Sequence, residues 1–123
     1  MDEQDSLQRI MQTIDAFTHE RDWEQFHSVK NLMASVSIEA SELNETIQWS
    51  NPSVEELLDS PVILGGISDE VADVLIYCLR ICSVLNIDPV DAMERKIEKN
   101  RTKYPVDKSK GNSEKYTSFN QQA

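Results

Sequence analysis

The chain has 123 residues and a formal net charge of −10, from 22 acidic and 12 basic side chains. This length is typical of one domain, and the negative charge argues against a general binder of nucleic acid or of anionic membranes, because both need a basic face. An acidic protein can still bind a polyphosphate if metal ions reverse the local field. So short a chain leaves much of its surface exposed, and association with a second copy would complete its core.

Targeting signals and cysteines indicate the compartment. No apolar run approaches the roughly 20 residues that span a bilayer, and residues 1–5 are acidic and polar, unlike a signal peptide. Cys78 and Cys82 lie four residues apart in an apolar segment, which favours two reduced, buried thiols over a disulfide or a zinc site. We therefore expect a cytoplasmic protein.

The first half of the chain has the periodicity of two amphipathic helices. The first is predicted over residues 3–19, and Asp22 with Gln25 predicts a capping box that opens the next segment. The second runs from residue 29 to about residue 49 and is stopped at Asn51-Pro52, since a residue before proline is pushed away from helical geometry.

The second half predicts a short helix and two longer ones. Ser53 and Glu56 predict a capping box for the short helix. Gly65-Gly66 predicts a flexible junction, after which Ser68 or Asp69 caps a helix that runs to residue 85.

Asp88-Pro89 is a start signal for a last helix over residues 90–103. Residues 1–105 are thus predicted to form one all-α domain, a four-helix-type bundle. Residues 106–123 form a polar tail without hydrophobic period, which alone would be disordered.

Two pairs of carboxylates mark the two central helices: Glu39 with Glu42, and Glu70 with Asp73. Each pair is one helical turn apart on a single face, so the like charges repel unless something neutralises them. In both helices the pair borders the apolar stripe on the same side, and antiparallel packing would bring all four together. Hard oxygen ligands without histidine or cysteine favour Mg²⁺ or Mn²⁺. Glu45 is rotated further towards solvent and is an outer ligand at most.

Two other interpretations compete with a magnesium enzyme. A di-iron carboxylate bundle would need Glu-x-x-His motifs, but neither His19 nor His27 follows a glutamate at that spacing. A non-catalytic acidic helical interaction module would explain the charge and self-association, but not two carboxylate pairs that both border an apolar stripe.

The chain resembles the MazG-like, all-alpha nucleoside triphosphate pyrophosphohydrolases, and within them the dCTP pyrophosphatase branch. The resemblance covers about residues 21–117 and rests on the two carboxylate motifs together with residues 21–27, 39–49, 69–77, 96–105 and 110–116. It implies a helical bundle that forms a dimer or a dimer of dimers. It also implies hydrolysis of a nucleoside triphosphate to monophosphate and pyrophosphate, in cleansing or balancing the nucleotide pool.

The resemblance also implies roles for individual residues. Glu39, Glu42, Glu70 and Asp73 would be the catalytic carboxylates that hold Mg²⁺, with Mn²⁺ as a substitute. The substrate-binding residues would be Trp23, His27, Trp49 and Tyr77 for the nucleoside, Lys96, Lys99 or Arg101 for the phosphates, and Asn100 in the substrate cleft. The tail would close over the active site or over a partner subunit.

The spacer over residues 52–66 departs from this branch, which puts the base preference in doubt. We expect dCTP first and a broader activity on deoxynucleoside triphosphates second. Relatives that act on phosphoribosyl-ATP or dUTP are the alternative within the enzyme class.

Overall fold

The structure is a computed structural model that describes residues 5–113 and residue 117. Over these residues the chain is helical and contains no strand, as the sequence predicts. The helices are α1 (Ser6–Glu20), α2 (Val29–Glu45), α3 (Val54–Leu58), α4 (Pro61–Leu85), α5 (Pro89–Lys103) and α6 (Val106–Ser109), with a 3₁₀ turn at Glu24–Phe26 between α1 and α2.

Side-chain caps fix several of the helix starts. Ser53 and Glu56 form the predicted capping box of α3, in which each side chain bonds the backbone N–H of the other residue. Asp88 caps α5 by accepting from Asp91 N at 3.1 Å, with Pro89 in the first turn. Ser28 caps α2 in the same way, by accepting from Asn31 N at 3.1 Å.

Two predicted boundaries before α3 are wrong. Asp22 and Gln25 do not form a capping box: Trp23 is the residue before the 3₁₀ turn, and the Gln25 amide donates to the Asp22 carbonyl and carboxylate instead. Helix α2 ends at Glu45 rather than near residue 49, because Thr46 turns back on Leu43, whose carbonyl accepts from both the Thr46 hydroxyl and the Thr46 N–H. Residues 46–49 are turns.

The predicted junction at Gly65-Gly66 is also wrong, because both glycines lie inside the continuous helix α4. Pro61 in the first turn starts the helix seven residues before the predicted cap at Ser68. Each glycine costs about 1 kcal/mol relative to alanine, whereas a helix that has already begun gains a hydrogen bond with every added residue. Within the predicted tail, Val106–Ser109 form α6, one helical turn after Pro105; residues 114–116 and 118–123 of the tail lie outside the described residues.

The chain divides into two compact units, residues 1–87 with α1–α4 and residues 88–123 with α5 and α6. In the first unit, α4 is the central element, and α1, α2 and α3 all pack against it. Among the described residues only Ile14, Thr18 and Leu32 are buried. None of the 25 residues of α4 is fully buried, although the helix is mostly apolar. The first unit therefore presents an extensive apolar surface.

Candidate active site

Three carboxylates meet where α2 packs along α4. Glu39, Glu70 and Asp73 each offer an oxygen, and these ligand atoms all lie within 4.8 Å of one another. One oxygen of Glu39 and one of Glu70 are buried without a hydrogen-bond partner among the described residues. Helix packing, rather than chain proximity, thus places these like charges together. The sequence predicts four converging carboxylates, and the structure brings together three of them, without Glu42.

Burial and mutual repulsion raise the pKa values of two glutamates in this cluster. The pKa of Glu39 is raised to about 7, first by burial and then by Glu42, Asp73 and Glu70. The pKa of Glu70 is raised by burial and by the charges of Glu42 and Asp73. Glu42 is exposed and lies outside the set of converging ligand atoms, but its charge acts on both half-buried glutamates, Glu39 and Glu70.

These residues fit a hard divalent cation. A cation would supply the partner that the two buried oxygens lack and would cancel the repulsion that raises the two pKa values. The donors are all carboxylate oxygens, as Mg²⁺ and Mn²⁺ prefer. The chemistry of its donors therefore makes this site suitable for a divalent cation.

A cavity of about 400 Å³ lies beside the carboxylates, within the first unit. Its wall comes from α1, from the segment around the 3₁₀ turn and from α4, and is mostly apolar and aromatic. The lining residues are Ile10, Thr13, Ile14, Phe17, Thr18, Trp23, His27, Asp73, Ile76, Tyr77 and Arg80. Asp73 belongs both to this wall and to the carboxylate cluster, so the two features are adjacent parts of one site.

The aromatic wall is built on the end of α1. Trp23 N donates to Thr18 O at 3.1 Å, which folds the chain back after Asp22 adopts a positive φ of 54°. The Trp23 ring then meets Phe17 edge to face, with 5.7 Å between the ring centroids. Arg21 covers Phe17, with its guanidinium carbon 3.7 Å from the ring centroid. The wall therefore presents ring surfaces at a fixed angle.

Of the residues predicted to bind substrate, Trp23, His27 and Tyr77 line the cavity. Trp49 is not in its wall and is 90% exposed, in the turns after α2. Lys96, Lys99 and Asn100 lie on α5 in the second unit, where both lysines are exposed and Asn100 is half-buried. Their roles in binding substrate stay predictions.

The sequence analysis missed a polar network in the cavity wall. Arg80 Nη1 donates to Asp15 Oδ1 at 2.9 Å, and Arg80 Nε donates to His27 Nδ1 at 3.2 Å. The Arg80 side chain is only 12% exposed. A signal was available, because Arg80 is the one charged residue between Asp73 and Leu85 in an otherwise apolar stretch.

Within the part of the chain that the structure describes, no helix is long and apolar enough to cross a membrane.

Comparison with known proteins gives a consistent family. The model of the MazG-like family matches residues 34–119. The chain is 35% identical over 113 residues to dCTP pyrophosphatase 1 of Mus musculus and 34% identical over 115 residues to dCTP pyrophosphatase 1 of Homo sapiens. Each match covers 91% of this chain but 66% of the relative, so the chain spans just under two thirds of the length of these two relatives.

A solved structure has the same fold over nearly its whole length. The crystal structure of a pyrophosphatase from Archaeoglobus fulgidus superposes with a TM-score of 0.76 at 39% sequence identity, covering 85% of this chain and 97% of that one. The family model spans both carboxylate motifs, and the structural likeness spans most of the helices. The chain belongs to the MazG-like family.

Proposed function

We propose that this chain is a Mg²⁺-dependent nucleoside triphosphate pyrophosphohydrolase that converts deoxynucleoside triphosphates to monophosphate and pyrophosphate. The observation that carries the proposal is the position of Asp73, which is shared by the carboxylate cluster and the aromatic cavity. A nucleoside triphosphate has the matching shape, with a flat base at one end and a metal-binding polyphosphate at the other. The names of the relatives, dCTP pyrophosphatase 1 and a pyrophosphatase, support the same reaction.

In this proposal Glu39, Glu70 and Asp73 hold the cation, and Glu42 completes the set from the exposed side. Bound Mg²⁺ would neutralise the triphosphate and stabilise the charge that develops at the α-phosphate. A water molecule attacks the α-phosphorus, and the bond from that phosphorus to the bridging oxygen of the β-phosphate breaks. Pyrophosphate leaves, and the carboxylates accept the proton that the water loses.

The cavity would take the nucleoside. Stacking of a base on an aromatic face contributes about 1–3 kcal/mol, and Trp23 and Tyr77 offer such faces in the cavity wall. Lys96 and Lys99 would pair with the phosphates and Asn100 would contact substrate, as the family resemblance implies; Trp49 would add a second indole. dCTP is the substrate we expect first and a broader range of deoxynucleotides second, in a cytoplasmic enzyme that cleanses the nucleotide pool.

We also propose that the chain works as a homodimer or homotetramer. Val54, Leu58 and Val62 are 72%, 62% and 87% exposed around the start of α4, and large apolar side chains exposed in one region are typical of an association site. Val62→Lys should shift the sedimentation coefficient towards that of a monomer, whereas Val106→Lys, a change at another exposed valine, should not.

The test of the reaction is a panel of deoxynucleoside and ribonucleoside triphosphates incubated with the protein and Mg²⁺. We expect monophosphate and pyrophosphate from at least one nucleotide. A chelator or the Glu70→Gln substitution should abolish this activity, whereas the matched variant Glu55→Gln, at an exposed position on α3, should retain it. Intact triphosphates across the panel, with Mn²⁺ also tried, would favour the non-catalytic interaction module. Diphosphate and orthophosphate would instead keep the metal site and refute the attack on the α-phosphorus.

A further inference from the structure

We propose that Arg80, held by Asp15, is a positioning residue that fixes His27 as a neutral ring with its proton on Nε2, so that His27 donates a hydrogen bond to an acceptor on the nucleobase. This inference rests on the proposed function for the nature of the ligand. It follows from three side chains that come from α1, from the end of the 3₁₀ turn and from α4.

The direction of the hydrogen bonds sets the tautomer. An arginine guanidinium has five N–H donors and no acceptor, and it keeps its charge in proteins. Because Arg80 Nε donates to His27 Nδ1 at 3.2 Å, Nδ1 must present a lone pair. A neutral imidazole has one N–H, so the hydrogen is on Nε2. Burial, followed by the charge of Arg80, lowers the pKa of His27, which favours the same neutral ring.

Asp15 keeps the guanidinium in place. Its Oδ1 accepts from Arg80 Nη1 at 2.9 Å, and the Arg80 side chain is 12% exposed against 40% for Asp15. The carboxylate balances a mostly buried cation and leaves Arg80 Nε aimed at the histidine ring. Without this pair, Nδ1 would lose its fixed donor and either nitrogen of the ring could carry the hydrogen.

The cavity is where the Nε2–H of His27 would meet a nucleobase. His27 and Arg80 both line it, next to Trp23 and Tyr77, so a base stacked on the rings brings its polar edge to the histidine. An Nε2–H recognises a carbonyl oxygen or an unprotonated ring nitrogen, such as the acceptors on the edge of a pyrimidine. A site built to pair a polar group discriminates strongly against ligands that cannot pair, because its own buried group is then left unsatisfied.

The second histidine of the chain is an internal reference. His19 Nδ1 lies 2.7 Å from Glu24 Oε1, a carboxylate that can only accept, so His19 carries a hydrogen on Nδ1. The two histidines therefore have opposite roles at the same ring atom. Nitrogen NMR of labelled histidine separates protonated from unprotonated ring nitrogens, and His19→Gln assigns the two sets of signals.

The experiment uses the full chain with histidine labelled, near pH 7.5 (about one unit above the ordinary histidine pKa). We expect an unprotonated Nδ1 and a protonated Nε2 for His27, and a shift of the Nε2 signal when deoxycytidine monophosphate is added. Arg80→Met and the milder Asp15→Asn should give averaged signals for both His27 nitrogens. They should also raise KM for the preferred triphosphate about 3- to 10-fold, the worth of one hydrogen bond, with kcat little changed.

The matched controls, Arg95→Met and Asp91→Asn, remove an exposed arginine–aspartate pair on α5 and should change neither the His27 spectrum nor KM. A hydrogen on Nδ1 of His27, or an Nε2 signal that does not respond to saturating deoxycytidine monophosphate, would overturn the proposal. The NMR test of the His27 tautomer does not require turnover. If the wild-type protein shows the expected tautomer and nucleotide response but hydrolyses nothing, the proposed function alone is refuted.

Discussion

Glu39 on α2 and Glu70 on α4 place carboxylate oxygens within 4.8 Å of each other, and each buries one oxygen that has no hydrogen-bond partner in the described part of the chain. Carboxylates this close together are normally paired with a cation or bound to a metal ion, because their like charges repel. This pair is therefore a local instability in the metal-free protein, and it explains why metal binding, stability and activity should change together.

Neutralising one of these carboxylates should stabilise the metal-free protein. The pKa of Glu39 is raised to about 7 from an ordinary 4.5, so the folded state holds a proton that the unfolded state releases. The free energy of unfolding should then fall as pH rises from 4.5 through 7. Glu39→Gln should flatten this fall and raise the melting temperature in the presence of a chelator, measured by thermal denaturation across pH. A lower melting temperature at about pH 8 would contradict the repulsion.

Magnesium should stabilise the wild type but not the cluster variants. A ligand that binds only the folded state at about 100 times its Kd adds about 2.7 kcal/mol, equivalent to several degrees in the melting temperature of a small domain. Glu70→Gln should lose most of this shift, and Glu55→Gln should keep it. Equal shifts in all three proteins would mean that the cation binds elsewhere.

Trp23 should contribute to substrate binding more than to folding. Its indole is 44% exposed yet lines the cavity, so Trp23→Leu should raise KM about 5- to 100-fold, in line with the worth of stacking. Phe26 is the matched control because it is 60% exposed, lies in the same turn and is not in the cavity wall. KM is measured by steady-state kinetics. Equal KM values for Phe26→Leu and Trp23→Leu would mean that the base does not bind in this cavity.

His27 should make the protein less stable in mild acid. Its pKa is lowered from 6.5 by burial and by Arg80, so the unfolded chain binds a proton before the folded chain does. Stability from this residue is present above 6.5 and is lost as pH falls through the lowered pKa. Denaturant unfolding at several pH values should show a smaller decline below 6.5 in His27→Gln. An identical decline would mean that the ring does not titrate differently on folding.

The helices, and the meeting of Glu39, Glu70 and Asp73, were predictable from local patterns. The Ser53–Glu56 box and the Asp88-Pro89 start were predictable because each depends on neighbours in sequence. The continuity of α4 through Gly65 and Gly66 was not, because it depends on cooperative extension of a helix that packs against three others. The spacing of the two carboxylate motifs shows from the sequence alone which helix face each pair occupies. The Asp15–Arg80–His27 network, in contrast, joins residues that only the packing of the helices brings together.

The continuity of α4 has a direct consequence for stability. Both glycines have open space where a Cβ would be, so Gly65→Ala should raise the free energy of unfolding by about 0.8–1.0 kcal/mol. Denaturant titration of the single variant measures this directly. A destabilising effect would indicate either a hinge at this position or a neighbouring subunit that needs the space.

In the proposed reaction, water attacks the α-phosphorus of a nucleoside triphosphate at the Glu39–Glu70–Asp73 site. The most direct measurement is hydrolysis in water labelled with a heavy oxygen isotope, followed by mass spectrometry of both products. We expect the label in the monophosphate, an unlabelled pyrophosphate, and no turnover in Glu70→Gln. Label in the pyrophosphate would place the attack on the β-phosphorus and refute the proposed reaction. Undiminished turnover in Glu70→Gln would refute the proposed site.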